Sequence, residues 1–208
     1  MVHPTAFEPD LDKWDAWTPA EVATLLAPME APWYVAAGWA IDLFLGGGHR
    51  DHDDLEIAVP RDWFQEVVEA LDEFELFVVG VPTRGFVLPL EQARDALGVT
   101  HQTWVREPET GLWRLDVMRE PADGDTWICR RDERIRLPYD RVIERTADGI
   151  PYSRPEVVLL FKAKHAREKD NADLTAVLPR LEPARRRWLA DALDLVHPGH
   201  RWLSELRE

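Results

Sequence analysis

The segment Asp54-Leu55-Glu56-Ile57-Ala58-Val59 constrains this chain more than any other run of its length. Side chains alternate along a strand, so Leu55, Ile57 and Val59 fall on one face and Asp54 and Glu56 together on the other. Two neighbouring carboxylates above an apolar underside repel each other unless a cation joins them. Their oxygens suit a hard divalent ion such as magnesium, which keeps several waters and takes one or two carboxylates plus substrate phosphates. A solvent-facing edge strand is the other reading of the same pattern.

What precedes the strand points the same way. Trp33 to Ala36 reads as a short buried strand, Ala37-Gly38 as a small-residue turn, and Trp39 to Leu45 as a helical run ended by Gly46-Gly47-Gly48. A turn from strand into helix presents free backbone amides and the positive end of the helix dipole, which together make an anion site. If the backbone at Ala37 is left-handed, an alanine there costs about 1–2 kcal/mol. Asp42 lies inside the helix and is read as a local cap or pair. Arg50 and His52 either brace the acidic strand or touch substrate, and Asp51 and Asp53 are loop carboxylates. A zinc site from His49, His52 and the nearby aspartates is the weaker alternative in this loop.

A second acidic strand follows later. In Trp113 to Met118 the apolar Trp113, Leu115 and Val117 alternate with Arg114, Asp116 and Met118. Asp116 needs a partner there, either an arginine such as Arg114 or Arg130, or a cation shared with the first two acids.

The remaining pattern sets the frame. Thr18-Pro19-Ala20-Glu21 is a capping box that predicts a helix to about Leu26, with Trp14 and Trp17 packing it onto the body. Arg61 to Leu71 has amphipathic spacing. Strands are predicted at Leu76–Val79 and Thr103–Val105, a short helix at Glu91–Leu97, and a hairpin from Trp127–Cys129 and Arg134–Leu137. A turn at Asp148 to Pro151 divides an α+β domain, 1–150, from a helical subdomain, 151–208. The latter reads as one helix over Pro155–Asp173, a second over Pro183–Val196 and a terminal turn at His200–Leu206. Arg185-Arg186-Arg187 reads as a solvated helix face.

Composition narrows the function. A net charge of −14 disfavours non-specific nucleic-acid binding, which needs cations to displace counterions, and suits a cationic small-molecule acceptor. Of 25 basic residues only Lys13, Lys162, Lys164 and Lys169 are lysine. Three of these lie close together, which hints at phosphate binding by a compact ammonium. The lone Cys129 excludes an intrachain disulfide and reads as a buried thiol. With no apolar run of membrane-spanning length and no signal-peptide layout in the first residues, the expectation is a cytoplasmic protein without membrane contact.

These residues resemble the nucleotidyltransferase superfamily, and within it the small aminoglycoside and lincosamide nucleotidyltransferases. The resemblance rests on Ala37-Gly38-Trp39-Ala40-Ile41-Asp42, then Gly46, Arg50, His52 and Asp54-Leu55-Glu56-Ile57, then Asp116, and the helical Pro155 to His165 with Lys169-Asp170. It implies an α+β fold: a mixed sheet with flanking helices and a C-terminal helical subdomain. The implied reaction is transfer of a nucleoside monophosphate, adenylate from ATP, to a hydroxyl of a small molecule such as an aminoglycoside-like antibiotic. Asp54, Glu56 and Asp116 would hold Mg2+, two ions in the family's manner, with Asp116 as ligand or general base. Ala37, Gly38, Arg50, Lys162, Lys164 and Lys169 would meet the nucleotide. Members that modify RNA or protein, and a catalytically silent relative, are the alternatives. Where the family has Gly-Gly or Gly-Ser, this chain has Ala37-Gly38.

Overall fold

The computed structural model describes residues 10–208 other than Thr83. The N-terminal stretch read above as lacking a signal layout lies outside the described residues as far as Pro9. In chain order the first elements are α1 (Pro19–Leu25), β1 (Tyr34–Val35), α2 (Ala37–Leu45), β2 (Glu56–Pro60), α3 (Phe64–Ala70) and β3 (Glu75–Val81). Then come β4 (Gly85–Pro89), α4 (Leu90–Ala93), β5 (Gln102–Arg106) and β6 (Trp113–Glu120). The rest are β7 (Ala122–Asp123), β8 (Thr126–Ile128), β9 (Arg136–Pro138), β10 (Ile143–Arg145), β11 (Pro151–Ser153), α5 (Pro155–Lys162), α6 (Glu168–Val177), α7 (Pro183–Val196) and α8 (Trp202–Arg207). They form two compact units that are discontinuous in sequence: residues up to 33 with 52–120, and 34–51 with 121–208. The sequence reading placed a single division at 150 instead. Such interleaving is invisible to composition, because it follows from which strands pair.

The first unit carries β2-β6-β5-β3-β4, with β2 and β6 parallel and the remaining pairs antiparallel. Its entry helix forms as the capping box predicts. The Glu21 N–H donates to Thr18 Oγ1 at 3.3 Å, the Glu21 carboxylate accepts from the Thr18 N–H at 2.7 Å, and Pro19 occupies the first turn. Ahead of it, backbone bonds from Asp15 to Trp113 and from Trp17 to Arg114 lay the chain along β6. Trp14 packs there on Trp104 and Trp113, against a core of Phe77, Val79 and Val87. Strand β4 is absent from the sequence reading. Its run Gly85-Phe86-Val87-Leu88-Pro89 is short and bounded by proline, and only pairing with β3 reveals it.

On the other face of this sheet Arg119 is wholly buried. Its guanidinium donates to Thr103 Oγ1 and, at 2.7 Å, to Thr100 Oγ1, and it lies 5.1 Å from the centre of the Phe64 ring on α3. Burial, reinforced by repulsion from Arg61, pulls its pKa down to about 10.

The second unit pairs β1 with β11 in parallel and β11 with β10 antiparallel, beside a small β7-β8-β9 sheet. Both β1 and β11 run into helices, α2 and α5, which pack together. α5 is buried along nearly its whole length. The single helix expected over Pro155–Asp173 is broken into α5 and α6, with Ala166 at φ 43. Asp170 provides the physical reason: its Oδ2 accepts the Arg167 N–H at 2.9 Å and so caps a new helix start. α7 spans the predicted residues. The expected solvated face of Arg185 and Arg186 is instead engaged. Arg185 grips the buried Glu156 through Nε and Nη2 at 2.9 and 2.6 Å and reaches Glu144 at 2.9 Å, while Arg186 donates to the Leu206 carbonyl. Cys129 is buried, as expected.

Candidate active site

In the first unit, the register of β2 against β6 pairs Glu56 with Asp116. Register partners on adjacent strands share a face, so the two carboxylates stand side by side. Asp54 lies just ahead of β2 and is exposed, so the strand begins two residues later than expected. It stays close along the chain, because the Leu55 carbonyl accepts the Asp116 N–H at 2.9 Å. Asp116 is 4% exposed, and Gln102 Nε2 donates to its Oδ2 at 2.7 Å. Arg114, named above as a possible partner for Asp116, is engaged elsewhere, by Asp15 and by Glu107 at 2.9 Å. Gln102 is the residue that sequence reasoning missed. It sits on β5 opposite Met118, two residues from Asp116 on the same face, and alternation on β5 alone could have pointed to it.

Among the described residues no three His, Cys, Asp or Glu side chains come together as a metal cage. The Glu56–Asp116 pair nevertheless fits magnesium, whose remaining ligands are water and phosphate oxygens rather than protein. The zinc alternative does not fit, since His49 faces Asp173 instead of joining such a group.

The second unit holds the other predicted residues. α2 begins at Ala37, whose φ is 48, and Gly38 is buried in the first turn. Ala36 at its N-cap has no side chain that can cap this start. The helix ends at Gly46 in the left-handed region, with the Gly47 N–H on the Asp42 carbonyl at 2.7 Å. Past it, His49 Nε2 and Arg50 Nε lie 3.3 and 3.5 Å from Asp173 Oδ1.

Lys162 is buried between two aspartates, 2.9 Å from Asp173 Oδ2 and 3.3 Å from Asp170 Oδ1. Asp170 also accepts from Arg167 Nε at 2.9 Å. Burial pushes the Asp170 carboxyl upward, but the Arg167 hydrogen bonds and the Lys162 charge hold it below the ordinary carboxylate range. Lys164 and Lys169 are exposed and form no ion pair among the described residues. The three lysines therefore divide into one structural cation and two free ones. The sequence does carry a sign of this cluster. Asp170, Asp173, Leu174 and Val177 share one helix face, and two acids on an otherwise apolar stripe demand cations.

The family model described as aminoglycoside-2''-adenylyltransferase matches residues 20–84. No curated protein matches the sequence. Among solved structures, the lincomycin-bound crystal structure of lincosamide antibiotic adenylyltransferase LnuA is similar, with a TM-score of 0.50 and 19% identity over 76% of this chain and 92% of that one. The crystal structure of ANT(2'')-Ia in complex with adenylyl-2''-tobramycin has a TM-score of 0.48 and 16% identity, covering 91% and 94% of the two chains. The solution structure of antibiotic-resistance factor ANT(2'')-Ia has a TM-score of 0.47 and 13% identity, covering 90% and 88%. The chain is thus an α+β protein with the nucleotidyltransferase fold, similar to a small antibiotic adenylyltransferase.

Proposed function

We propose that the protein transfers a nucleoside monophosphate, adenylate from ATP, to a hydroxyl of a small-molecule acceptor of the aminoglycoside or lincosamide type. The observation that carries the reading is the Glu56–Asp116 pair, side by side on parallel strands with Asp54 two residues upstream. In the reaction the acceptor oxygen bonds to the α-phosphorus, the bond to the bridging oxygen breaks, and pyrophosphate leaves. Asp116 takes the hydroxyl proton, its orientation held by Gln102. Glu56 and Asp116, with Asp54 just ahead of them, would hold magnesium, which would supply charge neutralisation at the reacting phosphate and the leaving group. The uncapped start of α2 at Ala37 and Gly38 receives phosphate oxygens, with Arg50, Lys164 and Lys169 as its cations and Lys162 holding their frame. The acidic balance of the chain favours a cationic acceptor.

Pyrophosphate release with each nucleotide against a panel of aminoglycosides, lincosamides and other hydroxyl compounds tests this reading. Transfer should require magnesium and disappear in Asp54→Asn, Glu56→Gln and Asp116→Asn while the fold persists; undiminished transfer in those variants defeats the assignment. One observation favours a second reading, a silent nucleotide-binding relative. Ala37 places a methyl group in a left-handed turn, at the position where the family it resembles has glycine. Tight ATP binding with no pyrophosphate release across the panel would support that reading.

A further inference from the structure

Asp173 stands at the centre of the second unit's charge cluster and is wholly buried. One of its oxygens holds Lys162, while the other faces both His49 and Arg50. Arg50 is clamped a second time, by its Nη1 donating to the Asp51 carbonyl at 3.0 Å. Its Nη2 has no partner among the described residues, and the side chain is 23% exposed. A guanidinium held by one hydrogen bond and one carboxylate contact, with Nη2 open among the described residues, is an oriented donor, the form in which arginine recognises phosphate oxygens. Just before it in sequence, Gly46, Gly47 and Gly48 have φ of 95, 91 and 72 and no neighbour where a side chain would stand. The Gly47 N–H on the Asp42 carbonyl holds the near end of this strap, and the contacts of His49 and Arg50 with Asp173 hold its far end.

We propose that Asp173 is a positioning residue. By binding His49 and Arg50 to the α5–α6 corner it fixes the glycine strap and presents the Arg50 guanidinium to phosphate oxygens of the nucleotide. The kinetic consequence rests on the transferase reading above; the ordering of the strap does not.

Two measurements test this. In Asp173→Asn, amide hydrogen exchange over residues 46–51 should quicken by about tenfold while α7 stays protected. A double-variant cycle on nucleotide kcat/KM then separates positioning from general damage. Arg50→Ala should lose about tenfold or more, and adding Asp173→Asn should bring little further loss, because Asp173 acts through Arg50. Multiplying losses, or unchanged exchange over 46–51, would overturn the proposal. Should Asp173→Asn not fold, Arg50→Lys takes its place. It keeps the charge but not the fork, and is expected to lose the same nucleotide affinity with Asp173 intact; full affinity in Arg50→Lys counts against the proposal. If the wild-type protein transfers nothing, the transferase reading fails by itself, and the same cycle run on equilibrium ATP binding still decides the role of Asp173.

Discussion

Replacing Ala37 by glycine should stabilise the protein, against the usual direction of an Ala→Gly change in a helix. Ala37 has φ 48, a left-handed conformation at the first residue of α2. For a residue with a Cβ that conformation costs about 1–2 kcal/mol. Glycine removes the cost but loses about 0.4–1 kcal/mol through the greater freedom of its unfolded chain. The difference leaves a net gain centred at about 0.8 kcal/mol and of at most about 1.6 kcal/mol, worth roughly 2–3 °C and at most about 6 °C in melting temperature for a chain of this size. The adjacent Ala36 is the internal control, because its φ of −117 and ψ of −176 are ordinary extended backbone. Ala36→Gly brings no relief of strain and should cost about 0.5–1 kcal/mol. Urea unfolding followed by circular dichroism measures both, with the midpoint rising in Ala37→Gly, falling in Ala36→Gly, and the slope unchanged in each. A lower midpoint in Ala37→Gly, or the same sign for both variants, would refute the strain argument. Under the transferase reading Ala37→Gly should also tighten ATP binding, since the methyl no longer crowds the turn.

Other outcomes follow from the buried charges. Lys162→Met leaves Asp170 and Asp173 without their shared ammonium and should cost about 3–5 kcal/mol, whereas Lys164→Met, exposed and unpaired, should stay within about 0.5 kcal/mol by thermal melt. Arg119→Met should cost less than Lys162→Met although Arg119 is the more buried, because among the described residues Arg119 binds threonine hydroxyls and makes no ion pair; an equal or greater loss in chemical denaturation refutes this. His200 is held below its ordinary value of 6.5 by burial and the Arg201 charge, against the Ala163 carbonyl, and His197 is lowered by burial and Arg131. Their unfolded forms take up protons first, so stability should fall as pH drops below about 6.5, before the carboxylates titrate. His200→Gln should flatten that fall, as read from melting temperatures across the range.

The sequence carried those parts of the fold whose signals are local. Thr18 to Glu21 specify α1 because the cap is a bond between residues three apart, and Pro183 to Val196 specify α7 because a helix buries a periodic stripe. The alternation around Glu56 and Asp116 was legible because strand period alone decides which residues share a face. What the strands do to one another was not. That Glu56 and Asp116 are neighbours depends on β2 pairing with β6 in parallel at a particular register, and that Gln102 reaches Asp116 depends on β5. The helix break between α5 and α6 escaped periodicity because Asp170 spends its carboxylate on a backbone N–H and so ends one helix to begin another. Lys162 has the composition of a phosphate ligand and the environment of a structural cation, since only folding brings Asp170 and Asp173 against it. The sequence by itself thus determined which faces Glu56 and Asp116 occupy and where α1 and α7 begin, because those follow from bonds and periods along one strand or helix. Only the tertiary structure decided which charges are paired, as Lys162 is with Asp170 and Asp173, because pairing is set by what distant segments are packed alongside.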